Sequence, residues 1–220
     1  AFGALYFPWI SAPDPLAVAP TRALPPSGHV AGLIANNDLT IGVHHAPANT
    51  DISWAQDLTV SIDAASHGVL NTAGINVIRA EFGRAMRILG ARTVSSDPTY
   101  RFLNVRRLVS MIRVALDLST QWAVFEPNNT ATRNSLAASL EGFLTQLWRQ
   151  GALVGSTPRD AFLIQCDDGN NPPDAEALGE LHADIGIAPS VPDEFIILRL
   201  GRSTDSLDIT ERGVLAAGVG

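Results

Sequence analysis

Asn104-Val-Arg-Arg-Leu-Val-Ser-Met-Ile-Arg-Val-Ala-Leu-Asp-Leu118 carries apolar side chains at Val105, Leu108, Val109, Ile112 and Leu116, with Val114 as a further member. That spacing is one face of a helix, and it leaves Arg106, Arg107 and Arg113 on or near the wetter face. Downstream, Leu136, Leu140, Phe143, Leu144 and Leu147 repeat the pattern. The run Asn128-Asn129-Thr130 supplies N-cap candidates for this second helix, and Gly151 stands near its end. Two long amphipathic helices result, and the segments around them decide what they cover.

Those segments read mostly as strands. Leu58-Thr-Val-Ser-Ile62, Ile75-Asn-Val-Ile-Arg79 and Met86-Arg-Ile-Leu89 alternate with a period of two. Leu5-Tyr-Phe7 is a short apolar strand ended by Pro8. The rest of the first fifty residues, with Pro13, Pro15, Pro20, Pro25, Pro26 and Pro47, reads as extended loop with short strands, because proline fixes φ and removes a donor. After the first helix, Ala123-Val-Phe125 reads as a strand stopped by Pro127. Phe162-Leu-Ile-Gln-Cys166, Leu181-His-Ala-Asp-Ile-Gly-Ile187 and Phe195-Ile-Ile-Leu-Arg-Leu200 follow, and the chain from Gly201 onward reads as a tail. The order predicts an α+β domain, a mixed sheet flanked by two long amphipathic helices. No linker or internal repeat divides it.

The 220 residues carry a net charge of −7, which argues against a general nucleic-acid binder, since phosphate contacts need a basic stripe. All fifteen basic residues are arginine. Charged residues form 17%, against about 25% in an average soluble domain, the composition of a chain whose surface meets other subunits. No run reaches the roughly eighteen apolar residues of a membrane helix, and the start has no basic signal-peptide region.

A search for reaction chemistry finds little. His44 and His45, near Asp38 and Asp51, are adjacent on an extended segment and point to opposite faces, which does not suit one metal ion. The loop Asp167-Asp-Gly-Asn-Asn-Pro-Pro173 lacks the spacing and closing Glu of a calcium loop. Neither serine beside a glycine fits a nucleophile elbow, and no glycine loop ends in Gly-Lys-Ser/Thr. Cys166, the single cysteine, follows an apolar run and reads as a buried strand thiol. No catalytic, cofactor or metal residues are assigned. A hydrolase using Cys166 or the His44-His45 loop stands as the alternative from another class. Arg79, Arg84, Arg87, Arg92 and Arg101, with Glu81 and Asp97 among them, read as a solvated or internally paired sheet edge, or as interface ion pairs.

Longer words then become informative. Pro25-Pro-Ser-Gly-His-Val-Ala-Gly32, Gly42-Val-His-His-Ala-Pro-Ala-Asn49, Leu70-Asn-Thr-Ala-Gly-Ile-Asn-Val-Ile-Arg79, Gly90-Ala-Arg-Thr-Val-Ser-Ser-Asp-Pro98, Asn104-Val-Arg-Arg107, Thr120-Gln-Trp-Ala-Val-Phe-Glu-Pro-Asn128, Asn171-Pro-Pro173 and Pro192-Asp-Glu-Phe-Ile-Ile197 resemble, in order, the C-terminal region of contractile tail sheath proteins of phages, R-type pyocins and phage-tail-like injection particles. The resemblance implies a structural subunit that polymerises as a helical stack of rings around an inner tube and contracts to drive the tube through a target envelope. It implies self, an inner tube protein, and baseplate and terminator proteins as partners, with no nucleic acid and no direct membrane insertion. A non-contracting tail or baseplate component shares that partner class.

The resemblance further implies a conserved lattice-forming domain over 1–200, a tail over 201–220, and an N-terminal arm and outer domains beyond this stretch. Assembly in the cytoplasm, as part of a virion tail or similar particle, is expected. Phe195, Ile196, Ile197, Leu198, Arg199 and Leu200 match the C-terminal strand that pairs between subunits or closes the subunit's own sheet. Arg79, Arg92, Arg106 and Arg107 fall in matching words as ion-pair candidates. His45 stands where relatives often carry Lys, which puts in doubt a contact needing a permanent charge.

Overall fold

The computed structural model describes residues 2–16, 19–80, 83 and 85–190, together with the backbone of 196–202 and 207–213. Its contacts fall into two compact units, Ala1–Arg107 and Leu108–Gly220.

In the first unit, β1 (Leu5–Phe7), β2 (Ile10–Pro13) and β3 (Thr21–Leu24) precede α1 (Ser27–Thr40). Then come β4 (Thr50–Asp51), β5 (Asp57–Leu58), α2 (Ala64–Thr72), β6 (Ile75–Ala80) and β7 (Met86–Leu89). One sheet has the order β1-β6-β7-β4 and is mixed, with β1 parallel to β6; a small antiparallel sheet has the order β3-β2-β5. Ile78 and Ile88 sit opposite each other across β6 and β7 and meet Ile10, Val30 and Ile52 in the core. Val30, Leu33 and Ile34 of α1 pack into that core at i, i+3 and i+4.

The helix α1 overturns the expectation of loop over most of the first fifty residues. Proline is dense only up to Pro26; the run from Ser27 to Ala46 has none, and Pro26 occupies the N-cap, where a missing N–H costs no helical bond. The expected strand at 58–62 is cut to Asp57–Leu58, and α2 follows, started by Asp63, whose carboxylate accepts the Ser66 N–H at 2.7 Å.

The boundary between units falls inside α3 (Leu103–Ser119). Val105, Leu108, Val109, Ile112 and Leu116 are buried as the periodicity predicts, but Val114 is exposed and Arg106 is buried. Arg106 tolerates burial because its guanidinium lies 4.1 Å from the Tyr100 ring centre and 4.7 Å from that of Phe2. After α3, Gln121–Ala123 is a 3₁₀ turn and Phe125 has a positive φ, so the expected strand at 123–125 is absent. Those residues are the helix exit.

In the second unit, α4 (Thr130–Arg149) is capped by Asn129, whose side chain accepts the Thr132 N–H at 2.9 Å, and Gly151 (φ +77°) turns the chain away from its end. The short helix α5 (Pro158–Ala161), β8 (Phe162–Gln165), the short helix α6 (Pro173–Ala177), β9 (Leu181–Ile187), β10 (Ile196–Arg202) and β11 (Leu207–Gly213) complete it. The antiparallel sheet has the order β11-β10-β9-β8, so the segment read as a tail contributes a strand.

Candidate functional site

Two polar clusters, one in each unit, bring distant parts of the chain together. In the first, Asn76 on β6 is fully buried. Its amide donates to the carbonyls of Leu5 (3.0 Å) and Arg92 (2.8 Å), and its carbonyl oxygen accepts the Arg92 N–H (2.7 Å). A Cβ on Gly90 would lie 2.8 Å from Asn76 Oδ1, so only glycine admits this approach. The Arg92 guanidinium donates to the Asn71 carbonyl (2.8 Å), and the Thr93 hydroxyl to the Tyr100 carbonyl (2.5 Å). The sequence words at 70–79 and 90–98 are thus two halves of one hydrogen-bonded seam.

The word at 42–49 is held the same way. Asn37, buried on α1, donates to the carbonyls of Gly42 (3.3 Å) and His45 (3.1 Å) and accepts from His45 Nδ1 (3.1 Å), while Asn104 donates to the His44 carbonyl (2.9 Å). Burial, with a contribution from neighbouring His45, pulls the His44 pKa below its ordinary value.

The four arginines expected to form ion pairs separate by role. Arg107 makes a two-pronged pair with Asp38 of α1. Arg92 donates to the Asn71 carbonyl, and Arg106 stacks on two rings. Arg79 Nη1 lies 3.4 Å from His67 Nδ1. A pair the words did not single out, Arg87 with Asp51 at 2.5 Å, joins β7 to β4 where these residues are in register.

The second cluster centres on Arg133, which the sequence reading missed. Its position was readable: 133, 136, 140, 144 and 147 share the buried face of α4 at helical spacing, beside buried Thr132, and 133 is an arginine. The Arg133 side chain is 6% exposed and donates to Glu176 (2.6 Å), Asp168 (2.7 Å) and Asn128 (2.8 Å). The Glu176 hydrogen bond, with the charges of Asp168 and Glu176, raises its pKa further above the ordinary range. Asn128 also donates to the Glu180 carbonyl (2.7 Å). Asn171 pairs with the His182 backbone in both directions, donating at 2.9 Å and accepting at 2.8 Å, as a neighbouring strand would. The words ending in Asn128 and beginning at Asn171 meet where the Asn128 amide donates to Asn171 Oδ1 at 3.4 Å, and Asn128 also accepts from Arg133.

Burial pushes the Cys166 thiol up to about 11 even though nearby Arg133 lowers it, and a protonated thiol is a weak nucleophile. Of the strand expected to link subunits, Phe195 lies outside the described residues. Ile196 to Leu200 fall in β10, whose two edges pair with β9 and β11 of the same chain.

Both clusters are closed by side chains that bind backbone carbonyls. Residues 2–94 match the phage tail sheath protein central domain, and residues 95–200 the phage tail sheath C-terminal domain. The chain belongs to the phage tail sheath family. The two matched ranges meet at residues 94 and 95, near the boundary between the two compact units.

The chain is 26% identical to the tail sheath protein of Vibrio phage KVP40 over 194 residues, 86% of this chain and 28% of that protein. The anti-feeding prophage helical sheath in its contracted state is 33% identical with a TM-score of 0.78, covering 89% of this chain and 54% of that one. The sheath complex of an extracellular contractile injection system, PVC, also in the contracted state, is 31% identical with a TM-score of 0.79, covering 86% and 52%. The chain thus spans about half the length of the sheath chains in these structures.

Proposed function

We propose that this chain is part of a contractile sheath subunit that polymerises with copies of itself around an inner tube and shortens to drive the tube through a target envelope. The observation that carries the reading is the likeness to a helical sheath in the contracted state at 33% identity over 89% of the chain. The work is mechanical: subunits move as preformed bodies, and many weak contacts between subunits exchange at once. Baseplate and terminator proteins would cap the stack. Such a subunit is a component of a virion tail or a tail-like particle, assembled in the cytoplasm.

The sheet β11-β10-β9-β8 supports the linkage between subunits, because β8 and β11 are its outer strands. An outer strand offers main-chain donors and acceptors to a neighbour's extended segment, and such bonds survive a large rigid-body motion. Electron microscopy of the full-length protein, alone and with its tube protein, tests the reading. Hollow ridged cylinders, shorter and wider without the tube than around it, are expected; monodisperse monomers in both samples would overturn it.

A further inference from the structure

The turn at 168–170 holds the chain's one Asp-Gly pair, and no Asn-Gly pair stands anywhere in the sequence. That dipeptide is chemically labile. A glycine nitrogen has no side chain beside it to hinder approach, so it can attack the carboxyl carbon of the preceding aspartate and close a five-membered imide. The Asp168 side chain is 90% exposed, which admits the water that must leave and return.

The same turn holds the reaction back. Attack requires Asp168 Cγ to come onto the Gly169 nitrogen, and each partner is engaged elsewhere. Arg133 Nη2 donates to Asp168 Oδ1 at 2.7 Å, and the Gly169 N–H donates to Asp167 Oδ1 at 2.8 Å. Neighbouring bonds pin the loop: Asn170 accepts the Asp167 N–H (3.0 Å) and donates to the Gln165 carbonyl (2.7 Å), while Asn171 donates to the Asp167 carbonyl (3.0 Å). A Cβ on Gly169 would lie 2.9 Å from Asp167 Oδ1, so a larger residue would push against the carboxylate that holds its own N–H. The loop's packing thus calls for the residue that makes the bond labile.

We propose that Asp168-Gly169 is a site of spontaneous isoaspartate formation and that the contact between Arg133 and Asp168 guards it. The Gly169 nitrogen bonds to Asp168 Cγ and loses its proton. One carboxyl oxygen leaves as water, taking that proton and the one carried by the acid form. Water then adds back at one of the two imide carbonyls. Addition at Cγ restores aspartate; addition at the α carbonyl leaves isoaspartate, with the main chain running through Cβ and Cγ. The carboxylate then stands directly on Cα and the main chain is one carbon longer. Arg133 loses the partner it held, and the turn that carries Asn171 to the His182 backbone loses its spacing. Covalent ageing at this one bond therefore opens the loop from α4.

Peptide mapping of the full-length protein, kept folded in warm neutral buffer for weeks, tests this, with isoaspartate read by isoaspartyl methylation and mass spectrometry. The product is expected at 168, forming more slowly than in the same protein held in urea. Arg133→Met is expected to raise the folded rate about fivefold, because attack proceeds from the locally opened turn that the contact disfavours. High salt screens that contact and is expected to speed the unaltered protein but not Arg133→Met. Asp168→Glu keeps the charge but needs a larger ring, and is expected to abolish the product. Absence of the product from both the folded unaltered protein and folded Arg133→Met overturns the site. Equal rates in the two folded proteins overturn the guard. Where Arg133→Met does not fold, a rate in the unaltered protein that ignores salt overturns it instead.

Discussion

The seam around Asn76 and the cluster around Arg133 perform the same task with different chemistry. Asn76 is a neutral amide shut off from water, and its three bonds go to backbone groups of β1 and of the segment after β7. Arg133 is a buried cation whose partners reach into solvent: Asp168 is 90% and Glu176 39% exposed. The first arrangement is a stitch that water cannot replace. The second is a clasp whose outer half water can take over. The two devices should therefore respond differently to mutation and to salt.

The largest expected effect is at Asn76. Replacing it with Ala removes three hydrogen bonds of about 1 kcal/mol each and leaves buried backbone groups unpaired, so a loss of about 3 kcal/mol is expected. Urea denaturation checks it, and the loss should be nearly independent of salt because no net charge is involved. A loss below about 1 kcal/mol would break the distinction between stitch and clasp.

Arg133→Met is expected to destabilise the protein less than Asn76→Ala. The methionine fills the buried stem while both carboxylates stay hydrated. Hydrogen exchange should quicken across 167–177, which the guanidinium holds against α4, and the elements of the first unit should be unaffected. Equal quickening in both units would mean that the clasp is not local.

The smallest effect is an acid response common to both units. Asp63 caps α2 in the first unit and Asp160 caps α5 in the second, and hydrogen bonds hold both carboxyls below their ordinary pKa, from Ser66 for Asp63 and first from Thr157 for Asp160. A depressed folded pKa means that the stabilisation is present above about pH 4 and is lost as pH falls through the folded value. Thermal melts of Asp63→Asn and Asp160→Asn should therefore show a shallower loss below pH 4 than the unaltered protein. An unchanged acid slope in both variants would locate the acid sensitivity elsewhere.

Much of the architecture was legible because it is local. The stripes at 105–116 and 136–147, the Asn129 cap and the run at 181–187 each state their conformation within a few turns or alternations, and the structure forms α3, α4 and β9 on them. The misreadings also have local causes. Flanking prolines concealed α1, and Ala123-Val-Phe125 reads as β only if the preceding helix is assumed to have ended cleanly. The second polar cluster was half legible: Arg133 stands on an apolar register, a visible anomaly, but nothing near it names Asp168 and Glu176 as its partners.

Periodicity and capping in the sequence determined the helices and most strands, and ordered words determined the family, because both are properties of neighbouring residues. Tertiary structure alone decided the use of each arginine. Arg107 found a carboxylate, Arg92 a carbonyl and Arg106 two rings. Guanidinium groups of one chemistry take whichever partner chain closure brings within about 3 to 5 Å, and closure between residues tens of positions apart leaves no local trace.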